Sequence, residues 1–207
     1  MNNFDHNDIA DWTHRSVAQA SPDDLAFLAL TGKAELQIRD YLALWCQRNL
    51  PEVTVAREWR RHDLALLGET DPVAVIEGKL WASFNVLNDK KLNSSHPTHG
   101  IRGAMKKDIA KLQDQAEKSS ASGFISTLLM GIDIRPVIAR DRRAVKYLGD
   151  WVKIAKRSES HDELHQTAND RLVQFASLYG PTATSHLFSG EAYGAKVMMS
   201  VVVTKVV

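Results

Sequence analysis

The chain has 207 residues, a length that fits one domain or one domain with a small appendage and that buries a core without staples. Lys and Arg number 26 against 25 Asp and Glu, for a net charge of +1, so bulk basicity is excluded as a way of holding nucleic acid and any phosphate contact must come from local clusters. The single cysteine, Cys46, excludes an intrachain disulfide and favours a reducing, cytoplasmic setting.

The opening MNNFDHNDIADW has neither the basic nor the apolar region of a signal peptide, and residues 1–20 read as a polar N-terminal arm or short helix. Residues 21–207 read as a single domain. Ser21-Pro22-Asp23-Asp24 is a helix start, with a capping Ser, Pro at the first helical position and acids in the first turn. That helix breaks near Thr31-Gly32 and another runs from Ala34 to about Asn49, stopped by Pro51. Val53–Trp59, His62–Leu67 and the β-branched Val73–Trp81 read as strands, the last two joined by the turn Gly68-Glu69-Thr70-Asp71-Pro72. Residues 85–99 form a long polar loop. Gly100–Ser119 is helical and charged, and Phe124–Ile134 suits a buried strand. Asp141 to about Arg157 and His161–Leu178 are predicted helices, and Ala183–Phe188 with Lys196–Val207 a closing hairpin around Gly190 and Gly194. The last stretch is apolar, but it is interrupted by Lys205 and falls short of the roughly 20 residues of a membrane span, so no membrane partner is expected. The fold class is therefore α/β. Three antiparallel strands are followed by a helical crossover to a parallel fourth, giving a mixed sheet flanked by helices.

The turn centred on residue 70 sets Asp63 opposite Glu77, on one face of a simple hairpin. Two carboxylates so placed repel unless a cation lies between them, and Mg²⁺, which takes oxygen ligands and commonly one or two carboxylates, is the natural filler. Lys79, two residues beyond Glu77, shares that face, where it orients or deprotonates a water or balances phosphate charge. A lowered pKa near a metal would suit the role of base. Glu35 falls in the apolar stripe of its helix with Ile38, Leu42 and Trp45, so it needs a buried partner: Arg39 or the metal site.

The helix carrying Glu35, then Asp63, then Glu77-Gly78-Lys79 resembles the PD-(D/E)xK nuclease superfamily, and the element order over residues 34–134 resembles its restriction-endonuclease-like αβββαβ core. The resemblance implies metal ligands at Asp63, Glu77 and the Gly78 carbonyl, a catalytic Lys79 and a helical acid at Glu35. It implies Mg²⁺ as cofactor, with Mn²⁺ able to substitute, and DNA ahead of RNA as substrate. His62, where many members carry proline, is a departure.

Arg60, Arg61, Lys106, Lys107 and Lys111 are the nucleic-acid-binding candidates, against the plainer reading of solvated charges. The expected function is a metal-dependent nuclease, an endonuclease by preference, with a homodimer left open. Its rivals are an inactive nucleic-acid-binding domain of the same fold and a protein-interaction or regulatory module. His161-Asp162-Glu163-Leu164-His165 lacks the Glu that a zinc protease needs directly after its first His. Gly190 to Lys196 has the wrong spacing for a phosphate loop, and His96 and His99 read as surface residues.

Overall fold

The computed structural model describes residues 4–96, 100–136 and 141–207. Helix α1 (His6–Val17) starts at a capping box in which Asp5 and Asp8 satisfy each other's backbone N–H groups. The expected arm is thus an ordered helix, and it is part of the core: Ile9, Trp12 and Val17 are buried, and Trp12 stacks on Trp45 of α3 (Ala34–Asn49). Between them lies α2 (Pro22–Thr31), capped by Ser21 as its sequence predicts.

Strand β1 (Thr54–Trp59) turns into β2 (His62–Leu67) through Arg60 and Arg61, which have φ of 47° and 73°. Both central residues in the left-handed region mark the tight hairpin turn that matches strand twist. Next comes β3 (Pro72–Ala82), and then two short helices, α4 (Ser83–Val86) and α5 (Asp89–Asn93), occupy what reads as a featureless loop. Helix α6 (Ile101–Ser119) crosses over to β4 (Ser122–Asp133). The single long helix expected from residue 141 is instead a 3₁₀ turn (Asp141–Ala144) and α7 (Leu148–Ala155), separated by Tyr147 at φ 55°. A non-glycine residue in that region cannot continue a right-handed helix. Helix α8 (His161–Ala176) and the hairpin β5 (Thr182–Ala192) and β6 (Ala195–Lys205) complete the chain.

All strands join one six-stranded sheet in the order β1-β2-β3-β4-β6-β5. Only β3 and β4 are parallel, as the helical crossover requires, and β6 lies antiparallel against β4. Along the central strands the side chains alternate between two layers. Leu64, Ile76, Phe124 and Leu128 pack with α1, α2 and α3, while Ala65, Val75, Ile125 and Leu129 pack with α6 and α8. Among the described residues no helix is long and apolar enough to cross a membrane.

Candidate functional site

The β2–β3 ladder runs Leu66–Ala74, Ala65–Val75, Leu64–Ile76. One further step of this register would set residue 63 against 77, as the turn position predicts, but the pairing stops at Leu64–Ile76. Glu58, across from Asp63 on β1, has φ 55°, and together with Arg60 and Arg61 it distorts the hairpin end. The regular alternation of β2 breaks at this point. His62 takes the α6 side, with Nδ1 2.6 Å from Glu77 Oε1, and Asp63 turns into the fork between the strands, where its Oδ2 accepts from the Gly78 N–H at 2.7 Å. Asp63 and Glu77 therefore do not point to one face. Asp63 lines a cavity of about 30 Å³ on the α3 side, and Glu77 stands on the α6 side. That cavity is large enough for about one water.

Glu35 lines the same cavity as Asp63 and Gly78. Arg39 pairs with Glu58 and Asp40, so it is not the counter-ion of Glu35. Among the described residues Glu35 has neither a hydrogen-bond nor an ion-pair partner. Its place in the Ile38–Leu42 stripe is thus explained by the site cavity and not by a pair with Arg39.

Glu77 is 2% exposed and meets the Lys111 Nζ at 2.5 Å. The same ammonium bonds the Arg61 carbonyl. Lys111, expected on a phosphate, is committed inward. Burial pushes the Glu77 carboxyl up to about 7, opposed by Lys111 and reinforced by Asp63 and Asp108. The His62 imidazole is held below its ordinary value, first by burial and then by the Lys111 charge.

Lys79 projects to the α6 side as expected, but its partner is one the sequence reading missed: Asp108 Oδ2 lies 3.2 Å from Lys79 Nζ. Burial acts to lower the Lys79 pKa, but Asp108, Asp63 and Glu77 outweigh it and the net shift is upward. This shift runs opposite to the lowered pKa expected beside a bound metal, and it favours Lys79 as a cation held by Asp108. Asp108 was legible in principle: it falls between Met105 and Leu112 on the buried stripe of α6, the same signal that singled out Glu35. Its Oδ2 is fully buried with no hydrogen bond of good geometry.

The remaining candidates are dispersed. Arg60, stacked over Trp59 at 4.5 Å, and Arg61 are exposed at the hairpin tip, and Lys106 and Lys107 are exposed on α6. Arg57 pairs with Asp40. Cys46 is fully buried and its thiol is pushed up to about 12, which suits packing and not chemistry. His96 is exposed, and His99 lies outside the described residues. His161 and His165 are buried against Gly131, and Gly190 lies within the β5–β6 hairpin.

Among the described residues no three His, Cys, Asp or Glu side chains are gathered as a ready metal cage. Mg²⁺ does not demand one, since it commonly takes one or two carboxylates and keeps several waters. At the fork one oxygen of Asp63 and one of Glu77 are not used in the contacts above, but they stand on opposite sides of it, and Asp108 Oδ2 is taken by the Lys79 ammonium. Compared with protein-family models, with curated proteins and with solved structures, the chain finds no match.

Proposed function

We propose that the chain is a metal-dependent phosphodiester hydrolase of nuclease type, acting at the fork of β2 and β3, with DNA ahead of RNA as substrate. The observation that carries this reading is the Lys79 ammonium held 3.2 Å from the buried Asp108 Oδ2, on the same side of β3 as the buried Glu77 and two residues from it. Opposite charges gathered at a strand fork, next to an unpaired Glu35, are costly to fold and are the arrangement expected of a reaction centre. The order and directions of α3, β1, β2, β3, α6 and β4 agree with a restriction-endonuclease-like core, which supports the same reading.

With the Asp63 carboxylate swung from the Gly78 N–H to the Glu77 side of the fork, Asp63, Glu77 and the Gly78 carbonyl would hold Mg²⁺, or Mn²⁺ in its place. When bound, such an ion polarises the phosphate and acidifies a water. The chain's own residues supply the rest. Lys79, anchored by Asp108, sets a positive charge where negative charge develops on phosphate. Asp63 stiffens the fork through Gly78, and Glu35 adds an unpaired carboxylate to the same small cavity, which has room for about one water.

One observation favours a second reading, an inactive nucleic-acid-binding domain of the same fold. Lys111 already neutralises Glu77 without any metal. Incubating plasmid and oligonucleotide DNA and RNA with the protein in Mg²⁺ or Mn²⁺ separates the two. The nuclease reading expects metal-dependent cleavage, abolished in Glu77→Gln, and Mn²⁺ binding by calorimetry that the same substitution removes. Nucleic-acid binding without cleavage, and without Mn²⁺ uptake, selects the second.

A further inference from the structure

The small cavity at Asp63 is not the only space that Glu35 borders. Its other side opens on a groove of about 760 Å³ between the α2–α3 junction, the C-terminal ends of β3 and β4, and the start of α7. The groove carries Lys33, Lys91 and Lys146 along its walls, with Glu35 and Asp150 as its acids. Asp150 is engaged with Lys153, and Glu35 faces the site, so the free balance of the groove is positive. Lys146 is held in place, its Nζ donating to the Gly32 carbonyl at 2.8 Å. Lys91 donates to Asn85 Oδ1 at 3.0 Å and lies over the Phe84 ring at 5.6 Å.

Aromatic rings are interleaved with these cations. Tyr147 lines the groove yet is 67% exposed, on a backbone held at φ 55°. It is braced from behind: Phe84 meets it edge-on at 6.4 Å and in turn meets the fully buried Trp151 at 4.8 Å. An exposed ring on a rigid support, set among lysines, presents a π-face on which no other ring of the described residues stacks. Grooves that hold unpaired nucleotides combine these two parts, cations tracking the backbone and aromatic platforms for bases. A duplex hides its base faces in its own stack and has no use for the platform.

We propose that this groove binds a single-stranded stretch of nucleic acid, with phosphates on Lys33, Lys91 and Lys146 and a base stacked on Tyr147, and delivers the strand to the Glu35 end of the site. The inference rests on the nuclease reading for its purpose, but its test does not depend on cleavage.

A fluorescein-labelled oligothymidine about a dozen nucleotides long is titrated with the full chain in EDTA, by fluorescence anisotropy, beside a blunt hairpin duplex of equal length. The wild type binds the single strand more tightly than the duplex. Tyr147→Ala weakens single-strand binding by about 5- to 100-fold and leaves the thermal melt in place, because the ring is exposed; Tyr147→Phe retains binding. Lys33→Ala makes the salt dependence shallower by about 0.7 in the log–log slope. Binding that is unaffected by Tyr147→Ala, duplex preferred over single strand, or no binding of either overturns the proposal. Cleavage with Mg²⁺ but no dependence on Tyr147 removes the groove and leaves the nuclease reading; Tyr147-dependent binding without cleavage does the reverse.

Discussion

The ammonium of Lys111 lies 2.5 Å from Oε1 of Glu77, reaching from α6 to β3 across 34 residues of sequence. It supplies the cation that the buried carboxylate requires. Removing it by Lys111→Ala leaves the buried acid with His62 but no ammonium against it, at a cost of about 1–3 kcal/mol. The cost depends on pH. Glu77 has its folded pKa raised from 4.5 to about 7, so its contribution to stability is full below 4.5 and is lost as pH rises through 7. Urea unfolding of Lys111→Ala is therefore expected to show a large loss at pH 8 and a small one at pH 5, and adding Glu77→Gln recovers most of it. An equal loss at both pH values would show that Lys111 acts only by packing.

Lys79 is expected to work as a charge. Its pKa is raised, with Asp108 the strongest of the groups that overcome burial. Lys79→Ala is predicted to lower the cleavage rate by about 10²- to 10³-fold while metal binding persists. Lys79→Arg, which keeps the charge and cannot act as a base near neutrality, retains part of the rate. Asp108→Asn, which unties Lys79, lowers the rate and shifts the alkaline limb of its pH profile downward. A fully inactive Arg variant that still binds Mn²⁺ would return the base role to Lys79.

His165 is buried, with Nε2 3.0 Å from Ser200 Oγ and its Nδ1 without a partner, and its pKa is lowered to about 4, first by burial and then by the nearby His161 and His186. The folded chain therefore binds this proton less readily than the unfolded chain. The stability it secures is present above 6.5 and is lost as pH falls from there towards 4. The loss amounts to roughly 3 kcal/mol across that window. Melting temperatures of the wild type against His165→Gln should converge as pH falls. Parallel curves from pH 7 to pH 4 would refute the assignment.

Gly131 admits those imidazoles. A Cβ there would lie 2.6 Å from His165 Nδ1 and 3.3 Å from His161 Nε2. Gly131→Ala is expected to cost about 1–3 kcal/mol by overpacking, since both rings are buried. Gly78→Ala is the contrast: its Cβ meets only Asp63 Oδ2, at an ordinary 3.5 Å, so the fold tolerates it. Chemical denaturation of the two variants tests the ranking.

Much of the architecture is written in local sequence. Ser21-Pro22 starts α2, the β-branched run forms β3, and the turn centred on residue 70 sets the β2–β3 register through Leu64–Ile76. These are decided by capping, periodicity and turn chemistry, all of which act within a few residues. The alternation of β3 also places Val75, Glu77 and Lys79 on one side, because that strand is regular. Tertiary structure alone decided the rest. Asp63 left the face of Glu77 because Glu58, Arg60 and Arg61 distort the hairpin end and free the Gly78 N–H to be capped. Lys111 and Asp108 found Glu77 and Lys79 only when the α6 crossover packed on β3, and α1 became core only because Trp12 met Trp45. Each of these is a contact between distant residues, and side-chain direction at a distorted strand end follows from what packs against it, which no local pattern encodes.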